Sequence, residues 1–149
     1  AKYGRLYLWS AAMDSAEVFS NGGKGCGYGV ECNARVPVRG VCPAGWHLPS
    51  KAEWWTLFET IGDTSIAGKK LKSTSGWYDD GNGMDTYGFS LLPAGHRNGA
   101  GNYGNANFWS ATVDVSGSTY RMYLGYSYDY ASLRYGGKNY ARSVRCLKD

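Results

Sequence analysis

The sequence VCPAGWHLPSKAEWWTLFETI, residues 41–61, decides how this chain folds. Ser50 can accept a hydrogen bond from the backbone of Glu53, and Glu53 can reach back to Ser50, a capping box that predicts a helix start. One face of this helix is strongly apolar, because large side chains recur on it at helical spacing: Trp54, Leu57, Phe58 and Ile61. We expect this helix to be the packing centre of the protein and not its active site.

The composition favours a loop-rich fold with short strands. Of 149 residues, 22 are Gly, 13 are Tyr and 6 are Trp, a mixture that argues against a helical bundle. The net charge of +4 is mild, and no long run of Lys and Arg occurs, so we expect no nucleic-acid partner. No apolar run has the length that a membrane-spanning helix needs, so no direct membrane insertion is predicted. The length predicts one domain, residues 1–149.

Four cysteines, an even number, are compatible with two disulfides. Cys26 and Cys32 could close a small Gly-rich loop, whereas Cys42 and Cys146 would bridge most of the chain. A bridge of that span stabilises by roughly 4–5 kcal/mol in the chain-entropy model. No CxxC spacing occurs, which argues against a zinc site. Two disulfides favour an oxidising, extracellular location; the alternative is four buried thiols in a cytosolic protein.

Helices are predicted in the first half of the chain and short strands in the second. We expect a strand at residues 3–7 and a short helix at 8–16. After the capped helix, a second helix or helical turn is expected at 65–73, with Ala67 and Leu71 facing inward. From residue 89 the apolar period changes to two, which predicts strands at 89–93, 107–112, 119–124, 130–135 and 143–147. This order indicates an α+β fold with a small antiparallel sheet.

The strands of the last third sort their residues into two faces. The apolar alternate positions belong inside: Tyr120, Met122, Leu124, Ala131 and Leu133. The remaining surface consists of Tyr, Ser, Arg, Asp, Asn and Gly, and the loop at 95–108 has the same composition and could flank it. This is the palette of antibody combining sites, in which Tyr gives rigid contact area and Ser, Gly and Asn adapt their hydrogen bonds. The alternative is that Tyr simply favours half-buried strands.

Six motifs occur together and in order: YGRLYLW at 3–9, CPAGWHLPSKAEW at 42–54, AGKKLKS at 67–73, GFSLLPAGHR at 88–97, FWSAT at 108–112 and SVRCLKD at 143–149. Through them almost the whole chain resembles the Fibrobacter succinogenes major paralogous domain family, common in surface and secreted proteins of gut bacteria. The resemblance implies a C-type lectin-like fold, in which two helices pack on a small twisted antiparallel sheet and the chain termini lie close together. It also implies that the Cys42 segment and the Cys146 strand are neighbours.

The chain begins abruptly at the YGRLY motif, without an initiating Met or a signal sequence. We therefore expect a mature product or an excised domain, with upstream family sequence missing and an N-terminal strand or a partner cysteine lost with it.

Similar domains also occur as variable proteins of diversity-generating retroelements. In those proteins, the stretch between an FWSAT-like and an SVRC-like motif carries substituted positions rich in Asn, Asp, Ser, Tyr and Gly, and residues 98–138 have that composition. The resemblance therefore implies eight ligand contacts: Arg121, Tyr123, Tyr126, Tyr128, Asp129, Tyr130, Ser132 and Arg134. The expected partner is a protein or a glycan on a cell surface.

Catalysis finds little support in the sequence. The segment WHLPSKAEW also resembles formylglycine-generating enzymes, but those need paired cysteines near the C-terminus, where this chain has only Cys146. His47 and His96 are the only histidines, and neither has a Ser or Cys at a recognisable nucleophile spacing. We therefore predict no catalytic residue and no cofactor, and we expect both histidines to be structural.

An Asp-rich loop is the one candidate for a metal site, with Asp79, Asp80, Asn82 and Asp85 able to present oxygens to calcium. The pattern lacks the Gly and closing Glu positions of an EF-hand, and the calcium motifs of sugar-binding C-type lectins are missing. A solvated turn is the expectation, and no metal is predicted. Three functions remain open: an extracellular domain that binds a protein or cell-surface ligand, a calcium-independent carbohydrate-binding module, and a structural module of a surface-anchored or fibre-like assembly.

Overall fold

The computed structural model of the chain describes residues 3–97 and 104–149, and within these ranges it contains three short helices and seven strands. The helices are α1 (Trp9–Ala12), α2 (Lys51–Ile61) and α3 (Ala67–Leu71). The strands are β1 (Tyr7–Leu8), β2 (Trp46–His47), β3 (Ala106–Trp109), β4 (Ser118–Leu124), β5 (Ala131–Gly137), β6 (Ala141–Arg142) and β7 (Leu147–Lys148). The predicted α+β class is confirmed. None of the helices within the described ranges is long and apolar enough to cross a bilayer.

The strands form three small antiparallel sheets. β3, β4 and β5 make one sheet in that order, β1 pairs with β6, and β2 pairs with β7. The two small sheets join the first third of the chain to its C-terminal segment. The Cys42–Cys146 disulfide joins the same two regions, with its Cα atoms 5.9 Å apart, and the Cys26–Cys32 disulfide closes a local loop. All four cysteines are therefore paired.

The α2 helix begins as the sequence predicts. The Ser50 hydroxyl accepts from the Glu53 N–H at 3.2 Å, and the Glu53 carboxylate accepts from the Ser50 N–H at 2.7 Å. Trp54, Phe58 and Ile61 are buried on its inner face. The helix ends at Gly62, which has a φ of 89°, a backbone conformation that glycine adopts far more easily than other residues. Each large apolar side chain buried on this face contributes about 1.5–3 kcal/mol.

Two apolar clusters cover opposite sides of the β3–β4–β5 sheet. The first joins α2 and α3 to the alternate inward residues of the sheet: Ala106, Phe108, Met122, Leu124 and Ala131. The second packs Trp9, Ala12 and Met13 of the α1 segment against Trp109 and Leu48, beside the Cys42–Cys146 bridge. The sheet is thus covered on one side by helices, and on the other side the N-terminal segment covers it around Trp109.

The structure differs from the sequence predictions at four segments. Residues 89–93 form no strand; only Leu91 makes an isolated bridge, with Lys72, because Ser90 adopts a φ of 51° and its N–H donates to Asp85. The first helix stops at Ala12 and not at residue 16, because the Asp14 carboxylate accepts the N–H groups of the turn that follows. Of the strands predicted at 3–7 and 143–147, only the last residue of each lies in a strand, Tyr7 in β1 and Leu147 in β7.

Candidate ligand-binding surface

The structure places four of the eight predicted ligand contacts on one face of the β4–β5 hairpin and the other four on its connecting turn. Arg121 and Tyr123 of β4 lie directly opposite Arg134 and Ser132 of β5, on the face that points away from α2 and α3. The other four lie on the connecting turn, residues 125–130: Tyr126, Tyr128, Asp129 and Tyr130. Tyr128 and Asp129 are exposed and the other six are half-buried. Residues 98–103 of the predicted variable stretch lie outside the described residues.

Six of these side chains form one connected layer, here called the tyrosine–arginine surface: Arg121, Tyr123, Tyr128, Tyr130, Ser132 and Arg134. The Arg134 guanidinium lies 4.0 Å from the Tyr123 ring centroid, and that of Arg121 lies 5.0 Å from it. Arg134 also donates to the Ser132 hydroxyl at 3.0 Å and to the Tyr130 hydroxyl at 3.1 Å. The Tyr130 ring in turn packs against Tyr128, with 4.9 Å between centroids. Each contact holds a side chain in one rotamer before a ligand binds. Less side-chain entropy is therefore lost on binding.

The phenol of Tyr123 is a neutral hydrogen-bonding group at this surface. Burial raises its pKa, although the nearby charges of Arg134 and Arg121 act in the opposite direction. Because the net shift is upward from 10.0, the hydroxyl keeps its proton at neutral pH. It can therefore both donate to and accept from a ligand.

The turn at 125–130 is held from below by α3 and by a buried lysine. Lys72 is 1% exposed, and its ammonium donates to the backbone carbonyls of Tyr128 at 2.7 Å and Tyr126 at 3.3 Å. The Lys69 N–H donates to the Asp129 carbonyl at 2.8 Å. Gly68 lets α3 approach, because a Cβ there would lie 2.5 Å from the Tyr130 carbonyl oxygen. The shape of the turn therefore depends on its backbone and not on its side chains.

Sequence reasoning did not single out Lys72, although it lies in the AGKKLKS motif. Burial lowers its pKa, partly offset by the charge of Asp129. Its ammonium also lies 4.8 Å from the Trp77 ring centroid. The sequence gives no sign of its hydrogen bonds, because the carbonyls of Tyr126 and Tyr128 lie 54 and 56 residues away in the chain.

The Asp-rich loop borders the tyrosine–arginine surface. The Tyr78 ring meets Tyr126 edge to face at 5.2 Å. The Asn82 side chain accepts from the Trp77 N–H at 3.0 Å, and Asp85 accepts from Ser90. Within the described ranges, no three His, Cys, Asp or Glu side chains are placed to hold a metal ion. The oxygens of Asn82 and Asp85 therefore stabilise turns.

His47 lies between two carboxylates. His47 donates or accepts at both ring nitrogens, 2.6 Å from Asp149 and 2.9 Å from Glu53. Burial opposes its protonation, but the hydrogen bonds and charges of Asp149 and Glu53 outweigh burial and raise its pKa. Because Glu53 also caps α2, these residues link the C-terminus to the start of the helix. We call His47, Glu53 and Asp149 the chain-end clamp.

A cleft of about 340 Å³ lies apart from the tyrosine–arginine surface. It is lined by residues of both chain-end regions, among them Tyr7 and Arg145, and by Phe108 of β3. Its described lining contains neither a carboxylate nor a histidine, and its cysteine is in a disulfide. It therefore offers no pair of nucleophile and base.

Fold and surface together define a disulfide-bonded α+β protein whose sheet carries an aromatic and cationic face. The chain belongs to the Fibrobacter succinogenes major domain family, whose family model matches residues 1–148. The resemblance seen in the six sequence motifs is thereby confirmed. Neither a curated protein nor a solved structure matches the chain.

Proposed function

We propose that the chain is a non-enzymatic extracellular domain that binds a protein or cell-surface ligand through the tyrosine–arginine surface. The observation that carries the proposal is the connected layer of Tyr123, Arg134, Tyr130 and Tyr128 over a turn whose backbone is fixed by Lys72. Tyr and Arg are among the residues that dominate binding energy at protein interfaces. A layer already fixed in place loses little entropy when it binds.

A C-type lectin-like fold is the finer architecture that we propose. The pairing of β1 with β6 and of β2 with β7 brings the first third of the chain to the C-terminal segment, and α2 and α3 pack on one side of the main sheet. Two disulfides are the reason for proposing an extracellular location, because disulfides persist in oxidising compartments.

Retroelement diversification of this surface is a further part of the proposal. The groups that hold the turn, the Lys72 ammonium and the Lys69 N–H, bind backbone carbonyls. Side chains at Tyr126, Tyr128 and Asp129 could therefore change while the turn keeps its shape. Sequencing the same locus in many isolates tests this idea: substitutions should be concentrated at the outward positions of 98–138, and uniform drift along the chain would contradict it.

Carbohydrate binding is a second candidate, favoured by the paired rings of Tyr128 and Tyr130, of which Tyr128 is 43% exposed. Such a ring can stack on a pyranose without calcium. Both candidates are tested by probing the purified protein against an array of glycans and an array of cell-surface proteins. A structural module would bind neither array and would self-associate.

The decisive variants are Tyr128→Ala and Tyr130→Ala. We expect each to weaken binding to the captured ligand by about tenfold or more, since they remove aromatic anchors. Tyr28→Ala is the matched control, because Tyr28 is a 61% exposed tyrosine in the Cys26–Cys32 loop. Capture of a protein supports the main proposal and capture of a glycan supports the second. Equal effects of all three variants would contradict a binding role for this surface.

A further inference from the structure

Three arginines converge at one end of the tyrosine–arginine surface. Arg121 and Arg134 lie directly opposite each other on β4 and β5, a placement in which like charges destabilise a sheet. Arg142 lies beside Arg121 over Gly136: a Cβ at that position would lie 2.7 Å from Arg142 Nη2 and 2.9 Å from Arg121 Nε. A side chain at position 136 would therefore displace both arginine side chains. We call these three residues the arginine cluster.

No carboxylate balances the arginine cluster. All 12 Asp and Glu residues of the chain lie in the described ranges, and the ion pairs there involve Lys24, Lys69 and His47 only. The hydrogen bonds of the cluster go to neutral oxygens instead. Arg121 donates to the Asn107 side chain and the Tyr135 carbonyl, Arg134 to Ser132 and Tyr130, and Arg142 to the Gly137 carbonyl.

The most deeply placed member is also incompletely hydrogen-bonded. Arg142 is 3% exposed, and its Nε has no hydrogen-bond partner among the described residues. Burial, and next the charge of Arg121, lower the pKa of Arg142 to about 9. The buried His96 Nδ1 likewise has no partner in the described part of the chain. Burying cations without a counter-ion is unfavourable, and the Trp109 and Tyr140 rings, 4.2 and 5.1 Å from the Arg142 guanidinium, offset only part of that cost.

We propose that the arginine cluster is the position at which the ligand places a carboxylate, supplied by an Asp or Glu side chain of a protein partner. This inference rests on the proposed function and assigns the chemistry of that surface. Arg121 and Arg134 are half-buried and accessible from solvent, and their planar donors match the two oxygens of a carboxylate. Arg142 lies behind them and adds positive potential. The Tyr123 ring beside both guanidiniums supplies the apolar flank that is typical of protein interfaces.

The experiment uses a fluorescent hexaglutamate peptide, with hexaglutamine as the neutral probe. Arg121→Gln and Arg134→Gln should each weaken hexaglutamate binding by about tenfold, the effect of losing a charged hydrogen bond. Arg35→Gln removes the same charge from an exposed position outside the surface and should leave the affinity unchanged. Signals of the arginine Nε–H groups in the spectrum of ¹⁵N-labelled protein should shift at Arg121 and Arg134 on addition of hexaglutamate.

Several results would overturn the inference. Equal losses in Arg35→Gln would show general attraction to a basic protein, and so would unshifted Nε–H signals at the cluster. Tighter binding of an oligogalacturonate of equal charge would assign the site to acidic glycans instead. Arg121→Lys keeps the charge without the planar fork and should bind with intermediate affinity, which separates misfolding from loss of the site. If Tyr128→Ala abolishes capture of the array ligand while Arg121→Gln does not, the carboxylate site alone is wrong.

Discussion

The chain-end clamp and the arginine cluster differ in whether their charged groups have partners of opposite charge. In the clamp, each nitrogen of His47 faces a carboxylate, and one of these carboxylates caps α2. In the arginine cluster, three guanidiniums share one end of a sheet and hydrogen-bond only to neutral oxygens. The chain-end clamp joins two parts of the fold. The arginine cluster costs stability in the free protein, as expected of residues retained to bind a partner.

The largest expected effect comes from the disulfide beside the clamp. Replacing Cys42 and Cys146 together by Ser should lower the free energy of unfolding by about 4–5 kcal/mol, because the bridge closes a long loop in the unfolded chain. The matched double variant at Cys26 and Cys32 opens a short loop and should cost about 2 kcal/mol in the same model. Denaturant titration measures both. Similar losses in the two variants would contradict the loop-length explanation.

An intermediate effect is expected at Lys72, which is buried beneath the turn at 125–130 and whose ammonium donates to backbone carbonyls of that turn. Lys72→Met leaves the carbonyls of Tyr126 and Tyr128 without their donor, which should cost about 1–3 kcal/mol. Amide hydrogen exchange should accelerate in the turn at 125–130. Lys69→Met is the control, since its ion pair with Asp129 is 3.6 Å long and largely exposed and is worth little. If the two variants behave alike, Lys72 does not hold the turn.

The smallest expected effect is the pH dependence of the clamp. The pKa of His47 is raised above its unfolded value of about 6.5, so its contribution is complete below that pH and is lost as the pH rises through the folded value. Burial opposes ionisation of Glu53, but hydrogen bonds from Ser50 and His47 lower its pKa. The contribution of Glu53 is therefore present above about 4.3 and lost below its folded value. The clamp should stabilise most between about pH 4.3 and 6.5.

His47→Gln should remove about 1 kcal/mol of stability in that window, because its partners are partly exposed and screened. The free energy of unfolding, measured against pH, should then lack the decline above pH 6.5. His96→Gln is the control of opposite sign: burial and then the charges of Arg142 and Arg121 lower the pKa of His96. Because the folded protein binds a proton at His96 less readily than the unfolded chain does, the free energy of unfolding falls below about pH 6.5. His96→Gln should remove this fall. An unchanged profile in His47→Gln would show that the clamp does not titrate.

The sequence predicts most local features of this protein, except at 89–93, and misses the burial and hydrogen bonds that distant segments create. The capping box at Ser50 and the alternation of β4 depend on residues a few positions apart, so periodicity reveals them. The strand expected at 89–93 is absent because Asp85 fixes Ser90 in a turn. The hydrogen bonds of Lys72 span 54 and 56 residues, and Arg142 is buried against Trp109. A charged residue gives no sign in sequence that the rest of the fold will enclose it.

The Cys42–Cys146 bond also changes what a protease can do to this protein. Residues 42–146 form a covalent ring, so one cut between them opens the ring without releasing either piece. A nicked molecule would migrate as a single band until a reductant is added and as two fragments afterwards. Without a reductant, a second cut within the ring is therefore needed before any part of it, the segment between the two cuts, is released.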